Sequence, residues 1–272
     1  MMMFLFSGST AVLLAGEALT ALFIMTQLYD GTALMSAALV LLIGSVISVF
    51  ASNTYAGLLH QRALLVLYSQ LQPEEFIRLY APLRERKLIP SNVRFTLTAY
   101  LSNGYAAAGD FAEARRLLDN APTAGRRQAL ARDMILTGNR ACIALAESCA
   151  EEARLQIEHM QRLITDRRMS AKARTAQQDI LHTLRAQLNV LENRCTQDDC
   201  DYLRQTSKAP GSALRKTELN YYIGKAYALL GNETMAREYL TPAAANKTVF
   251  YGKLASAALK PLRSASQNKA QK

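Results

Sequence analysis

Residues 101–118 read LSNGYAAAGDFAEARRLL, and residues 223–240, IGKAYALLGNETMAREYL, return to the same pattern. Leu101, Tyr105, Gly109, Ala114, Arg115 and Leu118 align with Ile223, Tyr227, Gly231, Ala236, Arg237 and Leu240, each at an offset of 122. Apolar positions three or four apart share one helical face, so Tyr105 and Tyr227 are expected on the inward side of a first helix. Gly109 and Gly231 would end that helix in the left-handed conformation that glycine tolerates. Ala114 and Ala236 keep a second helix slim where it crosses the first. Each copy is therefore an αα-hairpin.

On these residues the chain resembles the tetratricopeptide repeat, a helix-turn-helix unit with the pattern W-x2-L-G-x2-Y, then A-x3-F, then P. The first copy keeps Leu101, Tyr105, Ala114 and Pro122, with Thr98 for the Trp, Ser102 for the Gly and Leu118 for the Phe. The second keeps Gly224, Tyr227 and Ala236, with Asn220 for the Trp and Leu240 for the Phe. The likeness is to the superfamily rather than to a particular member. An interval of 122 divides into three steps of roughly 41, room for two further hairpins. Residues 141–164 would place Ala153 at the slim position, and residues 184–205 would place Cys200 there. Residues 68–90 look like a degenerate hairpin, with Pro73, Glu74 and Glu75 suited to a first turn and Pro90 as a stop. Residues 248–262 make a capping helix, and 264–272 a disordered basic tail. In this superfamily the first helix of each pair lines the concave side. The resemblance therefore assigns Ala99, Asn103, Tyr221 and Lys225 to a groove for a protein or peptide partner.

The N-terminus belongs to a different solvent. Residues 1–72 hold three charged side chains, Glu17, Asp30 and Arg62, so they carry −1 and the remainder +11, for a net +10. Phe4–Leu28 is apolar or small apart from Glu17 and Gln27, and Thr32–Leu59 has no charge. Each run is long enough for a hydrocarbon core of about 30 Å. The link Tyr29–Thr32 is too short to cross back, which implies an antiparallel two-helix transmembrane hairpin with spans near 4–28 and 32–55. A buried pair of soluble helices is the competing reading. Positive charge lies beyond the second run, at Arg62, Arg78, Arg84, Arg86 and Lys87, so both termini and the repeats are expected in the cytoplasm. Equal rise along two helices puts Glu17 level with Ser45 and Ser48, and Gly44, Ser48 and Ser52 recur every four residues, a spacing for close helix approach. Glu17 is expected to bond a serine or a second copy of the chain. Arg78, Arg84, Arg86 and Lys87 are read as a solvated face or as contacts to anionic lipid.

No phosphate-binding glycine loop, metalloprotease pair or nucleophile elbow is present. Cys142, Cys149, Cys195 and Cys200 form no C-x-x-C pair, and the three histidines do not stand beside them at ligand spacing. No metal, cofactor or catalytic residue is assigned. Arginines of 154–185 are interleaved with Glu and Asp, as on a solvated face, which speaks against nucleic acid. The expectation is an all-α, two-pass membrane protein: a hairpin over 1–60, a helical repeat domain over 61–263 and the tail. Its function would be a non-enzymatic scaffold. The alternative is an oligomer with Glu17 on an assembly seam or pathway and the repeats regulatory.

Overall fold

The computed structural model describes residues 7–29, 34–85, 90–122 and 128–270; for 7–10, 26–29, 34–39, 41 and 263–270 it describes the backbone only. The turn at Asp30, and Arg86 and Lys87 of the basic group, lie outside the described residues. Twelve helices and no strand are found among the described residues. They are α1 (Ser7–Tyr29), α2 (Leu34–Tyr68), α3 (Pro73–Arg84), α4 (Ser91–Ala108), α5 (Phe111–Asp119) and α6 (Ala129–Ala146), then α7 (Ala150–Ile164), α8 (Ala171–Leu191), α9 (Gln197–Lys208), α10 (Ala213–Leu229), α11 (Glu233–Ala244) and α12 (Phe250–Ala270). The last of these extends into the segment expected as a tail.

From α2 onward the helices pack as successive hairpins: α2/α3, α4/α5, α6/α7, α8/α9 and α10/α11, with α12 against α11. Each hairpin turns at one residue of positive φ: Leu71, Gly109, Ser148, Asn193 and Gly231. From Gly109 the steps are 39, 45 and 38 residues, so the interval of 122 does hold two further hairpins. Caps sharpen these turns. Asp110 accepts from the Glu113 N–H, Asn232 from the Met235 N–H, and Thr196 forms a capping box with Asp199. Ala114, Ala153, Cys200 and Ala236 are 0% exposed and sit where the paired helices cross. At Gly224 an added Cβ would lie 2.5 Å from Leu240 Cγ, which measures how close α10 and α11 come. The arginine after the slim residue ties its hairpin to the neighbouring part of the stack. Arg115 reaches Glu147 and Glu152, each at 2.5 Å, Arg154 reaches Glu192, and Arg237 reaches the Leu262 carbonyl.

The segment 68–90 differs from its expectation. It contributes one helix, α3, with Pro73 at its start and Glu74 and Glu75 in its first turn, and the partner helix is the end of α2. That helix is 35 residues long, roughly 50 Å, against a hydrocarbon core of about 30 Å. It therefore runs unbroken past position 60. Its last turns bury Ala63 and Leu67 against Phe76, Tyr80, Val93 and Leu97 of the repeats.

At the other end α1 lies antiparallel to α2. Gly16 faces Ser48 and Gly44 faces Thr20, so tightly that a Cβ on either glycine would overlap the opposing side chain. The Ser45 hydroxyl donates to Glu17 Oε2 at 3.0 Å, and Ser48 is 5% exposed beneath Gly16. Leu14, Leu19, Leu22 and Phe23 of α1, and Leu42, Val46, Ile47 and Phe50 of α2, point outward. Among the described residues one stretch, Leu42–Tyr68, is long and apolar enough to cross a membrane; the apolar part of α1, Ala11–Met25, is shorter.

The stack curves until its end meets its beginning. Thr248 Oγ1 donates to the Leu71 carbonyl at 2.6 Å, across 177 residues of sequence. Phe250 packs edge-on to Phe111, with ring centroids 4.8 Å apart, beside Gly109. The α12 helix thereby touches α4, and α10 touches α2.

Candidate functional site

This curvature gathers side chains from α2, α4, α6, α10 and α12 around a cavity of about 200 Å³. Ala106, Ala107, Ala146 and Leu214 supply its apolar wall, and small residues there are what leave the space. Polar groups come from separate helices. Asn103 Nδ2 donates to the Tyr68 hydroxyl at 3.1 Å, leaving its own carbonyl oxygen available. Asn139 Nδ2 is buried with no hydrogen-bond partner. Ser212 caps α10 by accepting from the Arg215 N–H.

Arg215 and Glu218 stand one turn apart on α10, with side chains 32% and 16% exposed. Their contact is a single N–H at 3.5 Å, the outer limit of a hydrogen bond. Glu218 is held from behind at 2.7 Å by Gln187 Nε2, a fully buried residue whose Oε1 lacks a partner. Burial, the largest single influence, works against the Arg215 charge, but Glu218 together with Cys142 and Tyr251 more than offsets it, and the guanidinium pKa is raised. Burial, then the Glu218 charge, pushes the Cys142 thiol up to about 12. Burial also raises the phenols of Tyr251 and Tyr222 well above their usual range, and the two hydroxyls lie 3.4 Å apart. The cavity thus presents one guanidinium, one engaged carboxylate and several neutral donors.

The four residues assigned by resemblance to a groove are not brought together. Asn103 lines the cavity, while Ala99, one turn earlier on α4, does not. The Tyr221 ring packs between Tyr222 and Tyr251, at centroid distances of 5.3 and 5.4 Å. Lys225 is part-buried off the cavity, and burial lowers its ammonium pKa. Of the basic group, Arg78 pairs with Glu75 on its own helix and Arg84 Nε donates to Thr98 Oγ1 at 3.3 Å. Sequence reading missed Asn139, Arg215 and Glu218. Only the i,i+3 pairing of Arg215 and Glu218 on one helical face would have flagged two of them.

No family model, curated protein or solved structure matches the chain.

Proposed function

We propose that the chain is a membrane-anchored helical-repeat scaffold of tetratricopeptide type. It crosses the membrane twice and holds a protein or peptide partner on the cytoplasmic side, at the inner face of its repeats. The observation that carries this reading is the cavity: polar groups from separate helices converge on a small apolar hollow, one buried donor among them unpaired. Buried polar groups are ordinarily satisfied, and an unpaired one in a pocket wall points to something that binds there. Outward apolar side chains on both α1 and α2, and their packing through glycine and serine, support a two-span anchor.

Affinity purification from solubilised membranes tests the scaffold. A partner is expected on the full chain and is expected to be lost from Ala146→Phe, which fills the cavity. A set of bound proteins identical for the two chains would exclude the cavity as the binding site.

Topology has its own reporter, because all four cysteines are free and Cys149 is the exposed one. An impermeant maleimide is expected to spare Cys149 in intact cells and to modify it on lysis. Cys142 and Cys200 should react only after denaturation, since burial pushes their thiols up to about 12 and about 11 and leaves little thiolate at neutral pH. Labelling of Cys149 in intact cells would reverse the orientation.

One observation favours the oligomer as a second reading. Ser45, the donor to Glu17, also borders an outward groove on α2 with Val46, Val49 and Asn53.

A further inference from the structure

We propose that the cavity recognises a single carboxylate carried on a short apolar stem. This rests on the reading of the cavity as a recognition site. Its wall offers more donors than acceptors. Asn139 Nδ2 has no partner, and Arg215 gives Glu218 only one N–H at 3.5 Å, so most of its planar fork is unengaged. The Tyr68 hydroxyl accepts from Asn103 and keeps its own hydrogen to donate. Glu218, the acid on this wall, already receives from Gln187 and Arg215.

A carboxylate satisfies this set: it is planar, accepts at both oxygens and matches a guanidinium fork. Charge selects one negative charge over two. A monoanion is drawn to Arg215, whereas the second charge of a phosphate monoester would face Glu218 without a further cation on the wall. About 200 Å³ admits one side-chain-sized group, and Ala106, Ala107 and Leu214 line it for an apolar stem. The carboxylate can belong to a free organic acid or to an acidic side chain of a bound protein.

The test uses the full chain in lipid nanodiscs, titrated with butanoate and benzoate and with the corresponding primary amides. A second arm uses an octapeptide containing one Glu and its Gln counterpart. In at least one arm the acid is expected to bind about tenfold or more tightly than the amide, the difference made by one charge-assisted hydrogen bond. Binding of the free acids identifies a small-molecule ligand, and binding of the Glu peptide alone identifies a protein-borne group.

Asn139→Ala should weaken acid binding about tenfold without lowering the thermal midpoint of the free chain, because it removes a donor that has no partner. Glu218→Gln should tighten binding, since it relieves Arg215 of its competing anion; a merely structural role for Glu218 does not produce that gain. Equal binding of acid and amide, no binding in either arm, or unchanged affinity in both variants would overturn the proposal. Acid binding without capture of any partner would instead overturn the scaffold and leave the carboxylate site standing. Partner capture that survives both Asn139→Ala and Arg215→Gln would do the reverse.

Discussion

Phe76→Ala is expected to lower the unfolding free energy by about 4 kcal/mol, within the range for emptying an aromatic site in a tight core. The Phe76 ring is 0% exposed and stacks on Tyr80 with centroids 4.4 Å apart. It also fills the notch made by Gly104, where a Cβ would lie 2.7 Å from the ring. Because α2, α3 and α4 all meet in this cluster, the hole cannot be closed by one helix without opening its contact with another. Urea unfolding of the chain in micelles, monitored by circular dichroism, measures the loss. Phe76→Leu should recover most of it. A loss under about 1 kcal/mol would mean that the long apolar helix and the repeats are joined by less than this core.

Gly252→Ala should destabilise by about 3 kcal/mol, the upper end of overpacking. A Cβ at Gly252 would stand 1.8 Å from the Asn246 carbonyl oxygen, and backbone cannot rotate aside as a side chain can. The first turn of α12 must then lift off the end of α11, withdrawing Tyr251 from the cavity and Phe250 from Gly109. Unfolding experiments read the stability change, and faster tryptic cleavage after Lys253 reads the detachment. Gly231→Ala is the control. Its φ of 77° disfavours a side chain but nothing lies within 4 Å, so the loss should be about 1 kcal/mol. Equal effects at the two glycines would show that α12 is not pinned by this contact.

Much of the helical stack was legible, for local reasons. Period, glycine and the slim residue are read directly from spacing, so the hairpins turning at Gly109 and Gly231, and the crossings at Ala153 and Cys200, could be found without coordinates. That Glu17 lies level with Ser45 and Ser48 was legible too, because two apolar helices of equal rise leave little freedom in which residues face each other; that Ser45 is the donor was decided by the packing. The turns at Leu71, Ser148 and Asn193 were harder. Asn193 is of a type that favours the left-handed conformation after glycine, but Ser148 and Leu71 carry no such signature, and Leu71 is held in place by the packing around it.

The cavity was not legible, and the contrast between Asn103 and Lys225 explains why. They are equivalent in their repeats, yet Asn103 lines the cavity and Lys225 does not, while the capping Ser212 and, from the first turns of α10, Arg215 and Glu218 line it instead. Sequence by itself determined the helical class, the hairpin unit and the apolar N-terminus, because each depends on neighbours within a few turns. Only the tertiary structure decided which ends of the inner helices meet. A small rotation is added at each hairpin, and its sum over the stack sets where α12 returns to α4 and which side chains face the hollow between them.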